Sequence, residues 1–211
     1  MRNAKSGFAN PLETWNKRFD RQEYIFGTAP NEYLACQADL LSAGQRALVV
    51  ADGEGRNSVW CAQQGLVVDA FDLSPVAVAK AQKLAAERGV HVNYYVSDID
   101  EWTWTPETYD VVVVIFVQFA TPEMCARLFA NCIRALKPGG LVILQGYTPR
   151  QLEFKTGGPS ILEHLYTEPM LREAFSSVDM VECRFYEAEI SEGTHHSGMS
   201  ALAGMVGRRR I

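Results

Sequence analysis

The feature that most restricts how this chain can fold is a junction that recurs along it: a short apolar run, a turn, then a helix-forming segment. Ala47–Ala51 (ALVVA) enters Asp52-Gly53-Glu54-Gly55, and Leu66–Phe71 (LVVDAF) ends at Asp72 and gives way to Ser74-Pro75. Uninterrupted apolar runs bounded by turn residues are the pattern of strands buried on both faces of a parallel sheet. Val90–Val96, Tyr109–Phe116 (YDVVVVIF) and Leu141–Gln145 repeat it, and Tyr109–Phe116, the most apolar, belongs at the centre. Helices are predicted between them: Asn57–Gln64, stopped by Gly65; Ser74-Pro75 through Arg88, capped by Gly89; and Pro122 through Ala135. Lys137-Pro138-Gly139-Gly140 is predicted as a turn. Strand and helix in alternation define an α/β fold with right-handed crossovers. The end of the chain breaks the pattern. Val178–Ile190 and Gly198–Val206 are strand-like, and the segment between them, Ser191–Ser197, is too short for a crossover helix, so these two should form an antiparallel hairpin.

The expected architecture is therefore a doubly wound, seven-stranded, mostly parallel sheet with a C-terminal antiparallel hairpin. A length of 211 residues favours one domain, 1–211, with residues 45–211 as its core and residues 1–30 as an ordered lid carrying Trp15, Phe19, Tyr24 and Phe26. The formal net charge of -5 argues against a nucleic-acid partner. No apolar run is long enough for a membrane span and no leader is visible at Met1–Asn10, so the cytoplasm is the expected compartment. Cys36, Cys61, Cys125, Cys132 and Cys183 include no C-x-x-C spacing and are odd in number. They read as free thiols, and no metal site is expected. Nothing in the sequence sets an oligomeric state.

In doubly wound sheets ligands bind beyond the carboxyl ends of the strands. The residues placed there are Ala51, Asp52, Gly53, Gly55 and Asn57 after the first strand, Asp72 and Leu73 after the second, Asp98 and Ile99 after the third, and Phe116 and Gln118 after the fourth. Gly53 and Gly55 allow close backbone approach. Asp72 is placed to accept hydrogen bonds from ribose hydroxyls, and Asp98 to accept from an adenine amino group. The dinucleotide fingerprint G-x-G-x-x-G is broken, because Gly53-Glu54-Gly55 is followed by Arg56-Asn57-Ser58. An acidic turn (Asp52, Glu54) repels a pyrophosphate and suits a cation. S-adenosylmethionine, which carries a sulfonium and an ammonium and no phosphate, fits better than a nicotinamide dinucleotide.

At these residues the chain resembles class I S-adenosylmethionine-dependent methyltransferases, whose fold is Rossmann-like. Ala51-Asp-Gly-Glu-Gly-Arg-Asn57, Phe71-Asp-Leu-Ser-Pro75 and Leu136-Lys-Pro-Gly-Gly140 match that group's motifs in order, and the terminal hairpin is also its mark. A narrower resemblance is to the bacterial branch related to tellurite-resistance and thiopurine methyltransferases. It is carried by Trp15-Asn-Lys-Arg-Phe19, Tyr24–Leu34 (YIFGTAPNEYL), Thr156-Gly-Gly-Pro159 and Glu192-Gly-Thr-His-His-Ser-Gly198. The resemblance implies methyl transfer to a small-molecule acceptor, such as a thiol or a selenium or tellurium oxyanion. Two positions depart from the pattern: Val49 stands where relatives carry an acid, and Ala51 where they carry glycine. They motivate an alternative, a non-catalytic protein that binds S-adenosylmethionine or S-adenosylhomocysteine on the same scaffold.

His196 is the candidate base and matches the relatives' motif better than His195. Tyr24 is the second candidate for the chemistry. Trp15, with Phe19 and Tyr24, is placed to cover the sulfonium, since aromatic faces attract cations. Arg18 is a candidate to hold a carboxylate or anionic acceptor, His164 is placed near the pocket, and Gly157-Gly158-Pro159 is a candidate lid.

Overall fold

The structure is a computed structural model and describes residues 10–194 and 196–211. Seven strands, β1 (Arg46–Val50), β2 (Val67–Asp72), β3 (Asn93–Val96), β4 (Tyr109–Ile115), β5 (Leu136–Tyr147), β6 (Val178–Glu192) and β7 (His196–Arg209), form one sheet in the order β3-β2-β1-β4-β5-β7-β6. The first five are parallel. β7 runs antiparallel to both β5 and β6. The expected mostly parallel sheet with its C-terminal hairpin is the architecture observed, and β4 is its middle strand.

The helices are α1 (Pro11–Phe19), α2 (Glu32–Ala35), α3 (Arg56–Gln63), α4 (Pro75–Glu87), α5 (Pro122–Ala135), α6 (Gln151–Phe154) and α7 (Glu168–Ala174). Four begin with the same device. The side chains of Asn10, Ser74, Thr121 and Thr167 accept from the backbone N–H of Glu13, Ala77, Met124 and Met170, and proline occupies an early helical position each time.

Side chains alternate across the sheet, so each strand feeds two apolar layers. Leu48, Val50, Val112 and Val114 face the layer closed by Leu128 and Phe129 of α5. Ala47, Val49, Val111 and Val113 face the layer shared with Tyr33, Leu34 and Cys61.

Three segments differ from expectation. Lys137-Pro138-Gly139-Gly140 is not a separate turn but the start of β5, where the register against β4 shifts between Tyr109 and Val111. Gly139 (φ 80°) permits the irregularity. β3 begins at Asn93 rather than Val90. The N-terminal segment contains helix α1, whose signal is the Asn10 cap with Glu13 at its third position, and Phe19 and Ile25 are 2% and 1% exposed. His195 and residues 1–9 of the expected lid lie outside the described residues.

Candidate active site

The carboxyl ends of β1, β2 and β4 open into a cleft roofed by α1 and the segment that follows it. The turn after β1 makes the floor. Ala51 (φ 49°), Gly53 (φ 63°) and Gly55 (φ 93°) all take left-handed backbone there. For Ala51 this conformation costs roughly 1–2 kcal/mol, and such strain is characteristically retained at functional sites. Phe116 (φ 55°), at the end of β4, is held the same way.

Asp72 ends β2, and its two carboxylate oxygens accept from the backbone N–H of Gly53 and of Ser74, each at 2.8 Å. One side chain thus fixes the turn after β1 and the start of α4 together. The Asp52 carboxylate accepts from the Ser58 backbone N–H (3.2 Å) and hydroxyl at the start of α3. Asp98 Oδ1 accepts from the N–H groups of Asp100 and Glu101. Asp52 and Asp72 are each 8% exposed. Burial pushes their carboxyls up, Asp52 to about 7 and Asp72 to about 6, against the pull of these hydrogen bonds.

The sign of this perturbation predicts a pH effect. The folded protein holds protons on Asp52 and Asp72 that the unfolded chain, with carboxyl pKa values of about 4, has already released. The stability contributed by this pair is therefore present below about pH 4 and falls as pH rises through 4 to 7. Urea unfolding of the ligand-free protein should show Asp52→Asn gaining stability relative to wild type at pH 8, with the gain vanishing at pH 4. A gain that does not depend on pH would refute the assignment.

Besides these acids, the cleft is bounded by Trp15, Ala51, Gly53, Asn57, Leu73 and Ile99, and by Phe116 and His196. These were all expected at the site. Three expected contacts lie elsewhere. Gly55 is behind the turn: a Cβ there would stand 2.7 Å from the Ala81 Cα, so this glycine serves the packing of α3 on α4. Gln118 lines a neighbouring cleft. Its amide accepts from the Tyr147 N–H (2.5 Å) and donates to the carbonyls of Tyr147 and His164, so it braces backbone. Tyr24 lines neither cleft. Its hydroxyl donates to the Lys80 carbonyl (3.2 Å), because the ring packs on α4. Glu54 also turns away from the cleft. It pairs with Lys80 at 2.5 Å and accepts from the Ile25 N–H, tying the N-terminal segment down.

The second cleft, about 370 Å³, lies between α1, β5 and the Gly157-Gly158-Pro159 loop. Trp15, Phe26, Phe116, Phe119 and His196 line both clefts and form their common wall. The His196 ring lies 4.5 Å from Phe26 and 4.4 Å from Phe116. His164 lines the second cleft with Nδ1 3.1 Å from the Gln118 carbonyl.

A buried ion pair behind this wall was not anticipated. Arg56, at the start of α3, meets Glu192, at the end of β6, at 2.7 Å, with both side chains under 10% exposed. Arg56 also donates to the Phe26 carbonyl. Glu192 also accepts from Asn31 Nδ2 and the Glu32 N–H, and lies 4.0 Å from His196 Nδ1. Both residues stand inside the recognisable motifs, but nothing in one sequence links positions so far apart.

The donor set of the first cleft discriminates between ligands. Asp52, Asp72 and Asp98 line it, and its guanidinium, Arg56, is committed to Glu192. Such a lining repels phosphates, whereas carboxylate oxygens with lone pairs to spare accept from hydroxyl and ammonium groups. These residues therefore fit an S-adenosylmethionine nucleoside and its cationic tail.

Parallel strands with a final antiparallel hairpin, and an acid at each of the first three strand ends, make a Rossmann-like fold with an acidic ligand-facing edge. Residues 47–140 match a family model described as a methyltransferase domain. The ubiquinone biosynthesis O-methyltransferase of Xanthomonas euvesicatoria pv. vesicatoria is 34% identical over 114 residues, 54% of this chain and 46% of that protein. The tRNA N(3)-methylcytidine methyltransferase Mettl2 of Drosophila melanogaster is 27% identical over 128 residues, 53% of this chain and 39% of that one. The match spans less than half the length of either relative. In fold, the N-methyltransferase NodS of Bradyrhizobium japonicum WM9, in complex with S-adenosylhomocysteine, superposes with a TM-score of 0.73 at 15% identity, covering 95% of this chain and 98% of that one. The fold is Rossmann-like, and residues 47–140 are similar to a methyltransferase domain.

Proposed function

We propose that this protein is a class I methyltransferase that transfers the methyl group of S-adenosylmethionine to a small-molecule acceptor held in the second cleft. The observation that carries the proposal is the common wall: an acid-lined cleft at the strand ends and one with no Asp or Glu among its described lining residues share five side chains. Asp72, Asp52 and Asp98 hold the donor, which supplies when bound an activated methyl group and a neutral thioether leaving group. Trp15 and Phe116 exclude water and orient the reactants, an alignment worth roughly 7–11 kcal/mol of barrier. Bound there, the donor would offer its methyl group to the acceptor's lone pair, with the carbon–sulfur bonding pair kept by sulfur. His196 accepts the acceptor's proton where there is one, a role worth about 10²- to 10⁴-fold. Tyr24 drops out of the chemistry.

The expected result is transfer of label from methyl-tritiated S-adenosylmethionine to small molecules and not to total tRNA; label in tRNA would overturn the acceptor class. With the acceptor found, His196→Gln should lower kcat by about 100-fold or more while leaving S-adenosylhomocysteine affinity within about threefold. An undiminished kcat would remove the base. The motifs around Trp15, Tyr24, Thr156 and Glu192 support a relation to the tellurite-resistance and thiopurine branch. One domain over residues 1–211 is part of the same proposal. The described cysteines are free thiols, which supports a cytoplasmic setting. Among the described residues no helix is long and apolar enough to cross a membrane.

A second reading, donor binding without turnover, rests on Val49. It lines the first cleft and is 1% exposed, and the resemblance implies an acid at this position. Tight donor binding with no turnover on any acceptor is its expected signature.

A further inference from the structure

The two clefts differ in the sign of the charge they can carry. The first is lined by Asp52, Asp72, Asp98 and Asp100. Among the described residues lining the second there is no Asp or Glu; its ionisable groups are the Arg18 guanidinium, the His164 and His196 imidazoles and the Tyr147 phenol. Burial and the nearby Glu192 push the Tyr147 phenol up, so it stays neutral. Behind the wall, the Glu192 carboxylate is paired with Arg56. At working pH the second cleft therefore presents positive or neutral groups and no negative one. Its other walls are the faces and edges of Trp15, Phe26, Phe116, Phe119 and Tyr147.

Arg18 is held at the mouth. It sits in the last turn of α1, and its guanidinium carbon lies 4.8 Å over the Trp15 ring. Trp15 in turn stacks on Phe19 (5.5 Å) and meets Phe119 edge-on (6.2 Å). A guanidinium positioned in this way presents a planar fork of donors that suits a carboxylate or another oxyanion. The aromatic walls suit a flat, apolar body, and a space of this size is within the range for small-molecule sites, roughly 300–1,000 Å³.

We infer that the second cleft selects a small aromatic anion and rejects an amine, with Arg18 as the residue that reads the charge. This deepens the methyltransferase proposal and rests on it for the cleft's role as acceptor site, although the charge preference belongs to the cleft itself.

The test is calorimetric titration with benzoate, benzamide and benzylamine, three probes of one shape and three charges, on the protein with and without saturating S-adenosylhomocysteine. Benzoate should bind at least about tenfold more tightly than benzamide, and benzylamine should bind more weakly than either. Arg18→Met should abolish the difference between benzoate and benzamide, and Arg18→Lys should restore part of it. Retained S-adenosylhomocysteine binding by both variants shows that they are folded. Benzylamine or benzamide binding as tightly as benzoate, a preference unchanged in Arg18→Met, or no binding of any of the three to a folded protein would each overturn the inference. Failure to bind S-adenosylhomocysteine would count against the methyltransferase proposal instead. The probe series on the free protein would still decide the charge preference.

Discussion

Replacing Asp72 with alanine should weaken S-adenosylhomocysteine binding by about 100-fold or more, and Asp72→Asn by about tenfold. The carboxylate at the end of β2 accepts from Gly53 and Ser74, so its removal both withdraws an acceptor from the donor cleft and loosens the turn and helix that shape it. Hydrogen bonds to a charged group are worth about 1.5–3 kcal/mol each, and about 1.4 kcal/mol is a factor of ten in affinity. Two such bonds to the donor's ribose hydroxyls, the role assigned to this carboxylate, account for the alanine figure. Asparagine keeps one acceptor oxygen and loses the charge. Calorimetric titration of the two variants checks both values. If Asp72→Ala binds within about threefold of wild type, Asp72 does not hold the donor.

The largest stability effect is expected at the buried pair behind the wall. Arg56→Met leaves the Glu192 carboxylate in the interior beside His196, Asn31 and the Glu32 N–H. Breaking a buried pair by removing one partner typically costs about 3–5 kcal/mol, because the remaining charge has neither water nor a counter-ion. For a chain of this size each kcal/mol lowers Tm by about 2–4 °C, so Tm should fall by about 6–20 °C. The double variant Arg56→Met, Glu192→Leu should recover a good part of that loss, since no buried charge is left unpaired. Denaturant unfolding of the two single variants and the double closes the cycle. Additive losses would mean that the two side chains act independently, contrary to their 2.7 Å contact.

The parallel half of the fold was legible because each of its signals is local. Val111–Val114 is apolar on both faces, Ser74-Pro75 and Thr121-Pro122 cap helices within four residues, and Ser191–Ser197 is too short to cross over. The same locality placed Asp52, Asp72 and Asp98, since a strand end is visible in a single stretch of chain. Misplacement began where a side chain's direction depends on a distant partner. Glu54 sits in the ligand-binding turn but is drawn away by Lys80 and the Ile25 N–H. Gln118 follows β4 as expected and is then claimed by the backbone of Tyr147 and His164. Tyr24 lies in a recognisable motif, yet its ring packs on α4. The Arg56–Glu192 pair joins the start of the domain to its last hairpin, and only the assembled sheet brings the two together.

An acid-lined cleft that serves as a donor site must bind adenosyl compounds and refuse a dinucleotide. Calorimetric titration of the wild-type protein with S-adenosylmethionine, S-adenosylhomocysteine and NADH tests it directly. Micromolar, one-to-one binding of the first two is expected, and none of NADH, whose pyrophosphate would meet Asp52 and Asp72. A folded protein that binds neither adenosyl compound, or that binds NADH as tightly as either, would contradict it.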